Sequence, residues 1–369
     1  MPRLDALGDR LRAFARPWEL VAFVWLPGLA LAYAGWYVLQ SREALGDFMI
    51  FRSAAVAVVH GRSPYVTPTP AALAHFDRFV YPPVAALLFS PFAALPAEVA
   101  RAAMFAVGLV AIVAALRLLG VEDWRCYGVA LVSAPAINSL GLGALTSLLL
   151  LGSALAWRRR DSTRVAGAAA AVTAVLKLFL WPLGVWLLAT RRWRAVALFV
   201  AVALCLLTGG WAAIGFDGLR SYPTLVHLLE QVEGPVSYSL VALTGLQGAS
   251  QTVATVALSL AAIAAVWFSA RGPSGDRAAF AVAVLASLVA TPLLWLHYLL
   301  LLYVPIALYR PRLSGLWFVP LVLWVTPTTH SHGITWRIAV DLLVVAFVAL
   351  RTMSSWLPRS AGAPRPVAS

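Results

Sequence analysis

Apolar segments recur along almost the whole chain and are separated by short connections rich in arginine, glycine and proline. The segments 18–39, 195–214 and 249–268 have the length of about 20 residues that an α-helix needs to cross the hydrocarbon core of a membrane. The short alternating segments that form barrel strands are absent from the sequence. The pattern predicts an all-α polytopic membrane protein.

A polar loop follows the first predicted crossing and covers residues 40–82. Within it, residues 43–60 have helical spacing, and Asp47 lies near the start of that segment. The apolar positions share one side of this helix: Phe48, Phe51, Ala55, Val58 and Val59. Gly61 and Pro64 end it. The pattern predicts an amphipathic helix lying on the membrane surface.

Several other apolar stretches should be broken. The run from 84 to 119 is too long for one straight span, and Pro91 and Pro96 should interrupt it. The stretches 126–157 and 165–190 have arginines at both ends, so each is expected to form a hairpin of short helices. Broken helices at membrane depth are tolerated where they line a cavity or are buried in protein.

The hairpins should turn near 138–143 and near Lys177, and another hairpin over 278–309 should turn at 291–297. A second outer loop covers 215–248. A last pair of segments covers residues 316–325 and 336–350. With this pair, the pattern predicts about twelve transmembrane or membrane-embedded helices.

Composition agrees with this fold class, because 62% of the residues are hydrophobic, only 12% are charged, and the mean hydropathy is +0.84. No polar stretch is long enough to fold separately. We therefore predict one transmembrane domain over 18–351, between a cytoplasmic N-terminus at 1–17 and a disordered cytoplasmic tail at 352–369. The first apolar run lacks a small-residue cleavage site and is predicted to remain as an anchor.

The net charge of +13 would suggest a nucleic-acid partner in a soluble protein, but here the arginine positions indicate topology instead. Placing the arginine-rich connections in the cytoplasm puts 20 of the 28 lysines and arginines there. These connections are 3–16, 117–125, 158–164, 191–194, 271–277, 310–312 and 351–365. The N-terminus is then cytoplasmic, both large loops are outside, and no nucleic acid is expected.

With this topology the unusual ionisable residues all fall on the outer side: Asp47, Lys177, His227, His297, His330 and His332. Lys177 is the only lysine in the chain, and a compact ammonium at this depth suggests a phosphate contact. The alternative is a lysine that extends to the interface. His297 is either a phosphate or proton contact or a helix-end cap.

Asp47 is either a catalytic carboxylate or an acidic residue that stabilises the start of its helix. His330 and His332 form only a weak metal-ligand pattern. Nucleotide-binding glycine motifs, Ser-His-Asp arrangements and an Asp-x-Asp pair in the first loop are absent. We therefore expect no cofactor and no metal, so that protein cations would neutralise a leaving phosphate.

Several motifs together resemble glycosyltransferase family 87. In the first loop they are Leu45-Gly46-Asp47-Phe48, His60-Gly61-Arg62-Ser63-Pro64-Tyr65 and Phe79-Val80-Tyr81-Pro82-Pro83. Further along they are Asn138-Ser139-Leu140-Gly141, Ala174-Val175-Leu176-Lys177, Ser237-Tyr238-Ser239-Leu240 and Thr291-Pro292-Leu293-Leu294-Trp295-Leu296-His297-Tyr298. The resemblance covers roughly residues 40–310. It departs at Asn138-Ser139, where the family more often has Gly-Gln before its asparagine.

The resemblance implies a GT-C fold and an inverting hexosyltransferase of the bacterial cytoplasmic membrane. Asp47 would be the catalytic base, and Lys177 and His297 would lie at the phosphate of a polyprenyl-phosphate sugar. The sugar, by analogy mannose, would pass to a glycolipid or glycan acceptor at the outer face. The candidate substrate contacts are Tyr81, Asn138, Trp295, Tyr238 and Arg52.

Two rival interpretations come from other classes. A transporter or flippase also has broken helices and ionisable residues at membrane depth, but it exposes them to both sides in turn and often has two similar halves. No such halves are visible in this sequence. A structural membrane scaffold would leave the single lysine and the large outer loops unexplained.

Overall fold

The computed structural model describes residues 17–41, 45–73, 78–272, 274–327 and 334–353 of the chain. Every regular element within these ranges is a helix, as the sequence predicts. Residues 1–16 of the predicted N-terminal segment, residues 354–369 of the predicted tail, and both His330 and His332 lie outside the described residues.

Four described helices are long and apolar enough to cross a membrane: Pro17–Gln40, Ala97–Leu118, Trp193–Ala213 and Gly248–Ser269. Three of them coincide with the predicted crossings. In these three, at most 17% of the most apolar stretch is buried inside the protein, so their apolar side chains face outward. Helices surrounded by lipid have this property, which supports an integral membrane protein.

The long run from 84 to 119 is interrupted at both prolines, as predicted. It forms the helices Pro83–Leu88, Ser90–Ala93 and Ala97–Leu118. Pro91 lies in the first turn of its short helix, and Pro96 comes directly before the long one. Both positions suit a residue that has no backbone N–H to donate.

The two predicted hairpin turns are also breaks in the structure. Helices Ala134–Leu142 and Thr146–Arg158 meet at 116°, and together they count as a fifth span if they cross as one unit. Helix Thr163–Leu176 ends at Lys177, whose backbone is extended with φ −150° and ψ 103°. A short 3₁₀ turn and helix Pro182–Ala189 follow.

The remaining described helices are mostly too short to cross a membrane. They are Gly46–Val59, Pro70–Leu73, Trp124–Leu131, Tyr222–Glu233, Gly234–Val236, Leu240–Thr244, Gly275–Ala290, Leu296–Leu302, Tyr303–Tyr309, Gly315–Phe318, Val319–Val325 and Thr335–Met353. Helix length therefore establishes four or five crossings and does not by itself establish the predicted total of about twelve.

The first-loop helix, Gly46–Val59, forms where the spacing predicts it. Phe48, Phe51 and Ala55 on its apolar side are fully buried. The Phe51 ring stacks on Phe89 at 4.7 Å, and the Phe48 ring meets Phe92 edge-on at 5.3 Å. The apolar face predicted to lie on the bilayer is thus covered by protein, because the interrupted run from 83 to 93 folds back against it.

The two large loops pack against each other. The Tyr65 ring of the first loop meets Tyr222 of the second loop edge-on at 5.7 Å and stacks on Trp211, near the end of helix Trp193–Ala213, at 5.3 Å. Tyr222 starts the second-loop helix, Tyr222–Glu233, and its hydroxyl donates a hydrogen bond to the Val80 carbonyl at 3.1 Å. A small apolar cluster also joins the loops: Leu73, Leu225 and Leu229. The second-loop helix is therefore held in a fixed position over the first loop.

Arginine-rich turns that the sequence assigns to one side of the membrane meet in the structure. Asp276 accepts hydrogen bonds from Arg192 at 2.6 and 2.9 Å and from the Trp186 indole at 2.9 Å, and Arg160 is 3.3 Å away. In a second group Arg312 pairs with Glu122 at 2.8 Å. These contacts tie connections that are far apart in sequence.

Candidate active site

Asp47 lies in the first turn of the first-loop helix, and the residues around it fix its position. Leu45, just before the helix, has φ 61°, a left-handed conformation that a leucine rarely adopts. Its backbone N–H donates to the Gly141 carbonyl at 2.8 Å. The strained residue is therefore held by a hydrogen bond to the break between the two bent helices.

Gly143 makes this approach between elements possible. Its φ is 61°, and a Cβ added there would lie 2.6 Å from the Phe48 Cβ and 3.0 Å from the Leu45 Cδ2. Only glycine has both the backbone freedom and the missing side chain that this position requires. The break at residue 143 thus determines how close the start of the first-loop helix can come.

His297 faces Asp47. Its Nε2 is 3.8 Å from the Asp47 Oδ2, and its side chain is only 5% exposed. This distance is longer than a hydrogen bond, and the buried Nε2 has no partner among the described residues. Buried polar atoms without partners are uncommon, and they recur at functional sites.

Asp47 lies outside the candidate membrane spans, and its surroundings make its carboxylate more basic than an exposed one. Burial raises the pKa of the Asp47 carboxyl, and the positive charge of Lys177 opposes the rise. A carboxylate with a raised pKa is a stronger base than an ordinary one. The Asp47 and His297 side chains therefore form a pair suited to accept a proton.

Lys177 is held by aromatic rings. Its Nζ is 4.0 Å from the centre of the Tyr298 ring and 5.2 Å from the centre of the Tyr81 ring. Phe179 stacks on Tyr298 at 4.9 Å and fixes that ring. Within the described residues, no hydrogen bond or ion pair joins the ammonium, so its donors are available to an anion.

A cavity of about 360 Å³ adjoins this cluster. Its polar lining includes Lys177, Tyr298 and Glu233, while most of the remaining wall is apolar. The lining extends to Thr255 and Ser259 on helix Gly248–Ser269. This helix is the least buried of the four candidate spans. The cavity therefore reaches from the ionisable cluster to a helix that faces outward.

Asp47 and His297 are not among the described residues that line the cavity, but both are adjacent to it. The His297 ring meets the Tyr298 ring edge-on at 4.6 Å, and Tyr298 is part of the wall. The charge of Asp47 also contributes to the raised pKa of Glu233 in the lining. The structure thus brings Asp47, Lys177 and His297 into one cluster, and their chemical roles stay predictions.

The five candidate substrate contacts divide into two groups. Tyr81 and Trp295 line the cavity. Arg52 instead donates to the carbonyls of Phe92 and Leu95, at 3.2 and 2.8 Å. Tyr238 is buried and donates to the Thr326 carbonyl at 3.1 Å, and Asn138 is half-buried outside the lining. Arg52 and Tyr238 thus have structural contacts, and a substrate role for all five is untested.

Sequence reasoning did not select Tyr298, Glu233 or Tyr222, all of which line the cavity. Tyr298 follows His297 directly and was part of a quoted motif. For the second loop a signal existed, since one face of a helix is formed by Tyr222, Val226, Leu229, Glu230 and Glu233. The helical spacing of these residues would have placed Glu230 and Glu233 on the same face of the helix.

Metal ligation has no support in the side chains that the structure describes. In those ranges no group of three or more histidine, cysteine, aspartate or glutamate side chains comes together in a way that could hold a metal ion. Lys177 is the cation that the described site provides.

The stretch from residue 79 to residue 296, more than half of the chain, matches glycosyltransferase family 87. The chain belongs to this family. The family 87 assignment confirms the resemblance in the sequence and identifies the protein as a membrane glycosyltransferase. The matched region includes Lys177, Glu233 and the described cavity lining except Tyr298, and it begins after the first-loop helix that holds Asp47.

Two curated relatives of this family 87 member are mannosyltransferases. One, from Mycolicibacterium smegmatis, is a polyprenol-phosphate-mannose-dependent α-(1-2)-phosphatidylinositol pentamannoside mannosyltransferase; it is 24% identical over 76% of each chain. The other, from Mycobacterium tuberculosis, is a polyprenol-phosphate-mannose-dependent α-(1-2)-phosphatidylinositol mannoside mannosyltransferase. It is 34% identical to this chain over a region that covers 40% of this chain and 34% of the relative's length. No solved structure matches the chain.

Proposed function

We propose that this family 87 enzyme transfers a hexose, with mannose as the expected sugar, from a polyprenyl-phosphate donor to a glycolipid or glycan acceptor. The observation that carries the proposal is the Lys177 ammonium, which lies on two tyrosine rings beside the Asp47 and His297 pair and forms no direct ion pair with a described carboxylate. The names of the two relatives support the same donor class.

In the proposed reaction an acceptor hydroxyl oxygen attacks the anomeric carbon, and the bond from that carbon to the phosphate oxygen breaks with inversion. Asp47 takes the hydroxyl proton. Polyprenyl phosphate leaves with the electron pair of the broken bond. The raised pKa of Asp47 makes it a better proton acceptor once it is ionised. His297, whose Nε2 has no partner among the described residues, joins Lys177 in stabilising the departing phosphate.

Lys177 binds the donor phosphate and stabilises the charge that develops as it leaves. A buried ammonium acts strongly on a phosphate because the site has a low dielectric. The tyrosine rings hold this cation without neutralising it, which keeps its donors available. The transfer would then need no metal and no nucleotide, and the lipid-linked sugar is a substrate rather than a cofactor.

We place this chemistry at the outer face of the bacterial cytoplasmic membrane, with a cytoplasmic N-terminus. Contacts between the arginine turns support a common side for them, since Asp276 joins Arg160 and Arg192. The proposal includes a GT-C fold of about twelve transmembrane or embedded helices. The cavity wall at Thr255 and Ser259 offers the polyprenyl chain a route from the bilayer.

The test is transfer by the purified full-length protein from a radiolabelled polyprenyl-phosphate hexose to membrane glycolipids. Replacing Asp47 with Asn keeps the shape and removes the base, so we expect kcat to fall by about 10²-fold or more. Equal transfer by a folded Asp47→Asn variant would overturn the assignment of the base.

A matched control is Asp217→Asn, which changes a carboxylate at an exposed turn of the other outer loop. This variant should keep wild-type activity. Absence of transfer from every lipid-linked hexose, together with measurable substrate flux across vesicles, would favour a transporter instead.

A further inference from the structure

Glu233 lines the same cavity and has no role in the reaction described above. It is the last residue of the second-loop helix and is half-buried. Within the described part of the chain, no hydrogen bond or ion pair engages its carboxylate. A half-buried carboxylate in a cavity wall has oxygens that can accept hydrogen bonds from a ligand in the cavity.

Glu233 and Lys177 share the cavity without forming an ion pair in the described structure. Their charges nevertheless interact. Burial and the charge of Asp47 raise the pKa of Glu233 to about 7, and the charge of Lys177 opposes this rise. A cation and a carboxylate that are near each other yet unpaired leave space for a bridging group between them.

A hexosyl phosphate has the chemistry that fits such a pair. Its phosphate is anionic and suits the ammonium, whereas a carboxylate would repel it. Its sugar carries hydroxyl donors, which a carboxylate can accept through either oxygen. The two side chains therefore distinguish the ends of the donor, with phosphate at Lys177 and sugar at Glu233.

Other walls of the same cavity suit a sugar ring. Tyr81 and Trp295 are partly buried and line the cavity, and aromatic rings provide flat apolar surfaces for the C–H face of a sugar. Glu233 is also held in place, because its helix is anchored at the other end by the hydrogen bond from Tyr222 to Val80. Little ordering is needed when the ligand binds.

We propose that Glu233 accepts hydrogen bonds from hydroxyl groups of the transferred hexose and so positions the sugar relative to the phosphate held by Lys177. This inference rests on the proposed function and names the residue that recognises the sugar.

Glu230 provides a matched control on the same helix. It also lines the cavity and is half-buried, one turn before Glu233. Burial raises the pKa of its carboxyl and His227 opposes the rise, while neither Asp47 nor Lys177 contributes. Glu230 is therefore a carboxylate of the same wall whose pKa the reacting cluster does not set.

The experiment measures kcat/KM for polyprenyl-phosphate mannose and for its 2-, 3-, 4- and 6-deoxy analogues, with wild type, Glu233→Ala and Glu230→Gln. In the wild type, kcat/KM should be about ten- to a hundredfold lower for at least one analogue than for the natural donor, because a hydrogen bond to a charged group is lost. Glu233→Ala should lose a similar factor with the natural donor and show no further loss with that analogue. Glu230→Gln should keep the wild-type loss with that analogue, whatever its own kcat/KM with the natural donor.

The inference is overturned if Glu233→Ala shows the same loss of kcat/KM with every deoxy analogue as the wild type does. It is also overturned if Glu230→Gln removes the loss that the inference assigns to Glu233. Binding of bare polyprenyl phosphate, which has no sugar, separates recognition from misfolding. Glu233→Ala should bind it as well as wild type or more tightly, whereas a misfolded variant would lose it. If wild type transfers from no lipid-linked hexose, the proposed function fails together with this inference.

Discussion

Lys177 has an environment that is rare for a lysine in an apolar protein. It is 7% exposed, and its ammonium lies on two tyrosine rings without a direct ion pair to a described carboxylate. A lysine that extended to the interface would have its ammonium in water instead. At the residue scale, the burial of Lys177 argues against a side chain that extends to the interface, and its role as an anion contact stays a prediction.

We expect Lys177→Met to raise the KM for the lipid-linked donor and to lower kcat/KM by about ten- to a hundredfold, because a charged contact to the phosphate is lost. Expression should stay normal, since methionine is apolar and similar in length. Steady-state kinetics in detergent or nanodiscs measure the change. Donor kinetics identical to wild type would leave Lys177 with only a packing role.

At the scale of elements, the site depends on places where helices break. The left-handed Leu45, the bend at Gly143 and the extended Lys177 each end or begin a helix. The first-loop helix can approach helix Ala134–Leu142 only because residue 143 has no side chain. Interrupted helices thus bring polar groups into an apolar interior without leaving a long unpaired backbone.

Gly143→Ala should therefore displace the first-loop helix. The positive φ and the 2.6 Å approach to the Phe48 Cβ should together cost about 1–3 kcal/mol of folding free energy and reduce transfer. Thermal unfolding in detergent, followed by intrinsic fluorescence, measures the first effect.

Gly141→Ala is the matched control, because a Cβ there meets nothing within 4 Å and its backbone is helical. It should be neutral or slightly stabilising. Equal stability and activity for Gly143→Ala would show that the close approach is not required.

At the scale of the whole molecule, arginine clusters connect distant parts of the chain. Asp276 joins the turn after helix Thr146–Arg158, the turn before helix Trp193–Ala213, and helix Gly275–Ala290. Burial alone would raise the pKa of its carboxyl, but hydrogen bonds from Arg192 and Trp186 and the nearby arginine charges lower it overall. Asp276 thus anchors one end of the bundle while the candidate site lies elsewhere.

Asp276→Asn should lower stability by about 1–3 kcal/mol near pH 7, because two arginines lose their carboxylate partner. Since the pKa of the folded state lies below the ordinary value of 3.8, this contribution is present above pH 3.8 and is lost as pH falls through the lower folded pKa. The difference in unfolding midpoint between wild type and variant should accordingly shrink in acid.

The exposed Asp161, in the neighbouring turn, is the control, and Asp161→Asn should not change the midpoint. A pH-independent difference between wild type and Asp276→Asn would contradict the ion-pair explanation.

The sequence by itself determined the fold class, three of the four long spans, the breaks at Pro91, Pro96, residue 143 and Lys177, and the family. These features follow from local patterns, because membrane insertion requires apolar length and because proline and glycine act on their own segment. The motifs that carry the resemblance also led to Asp47, Lys177 and His297.

Only the tertiary structure decided which side chains share a space. It covered the first-loop helix with Phe89 and Phe92 instead of lipid, turned Arg52 toward backbone carbonyls, and placed Tyr298 under the Lys177 ammonium. It also brought Glu233, from a loop about 180 residues after Asp47, to the cavity wall. Contacts between segments so far apart depend on how helices pack, which no local pattern encodes.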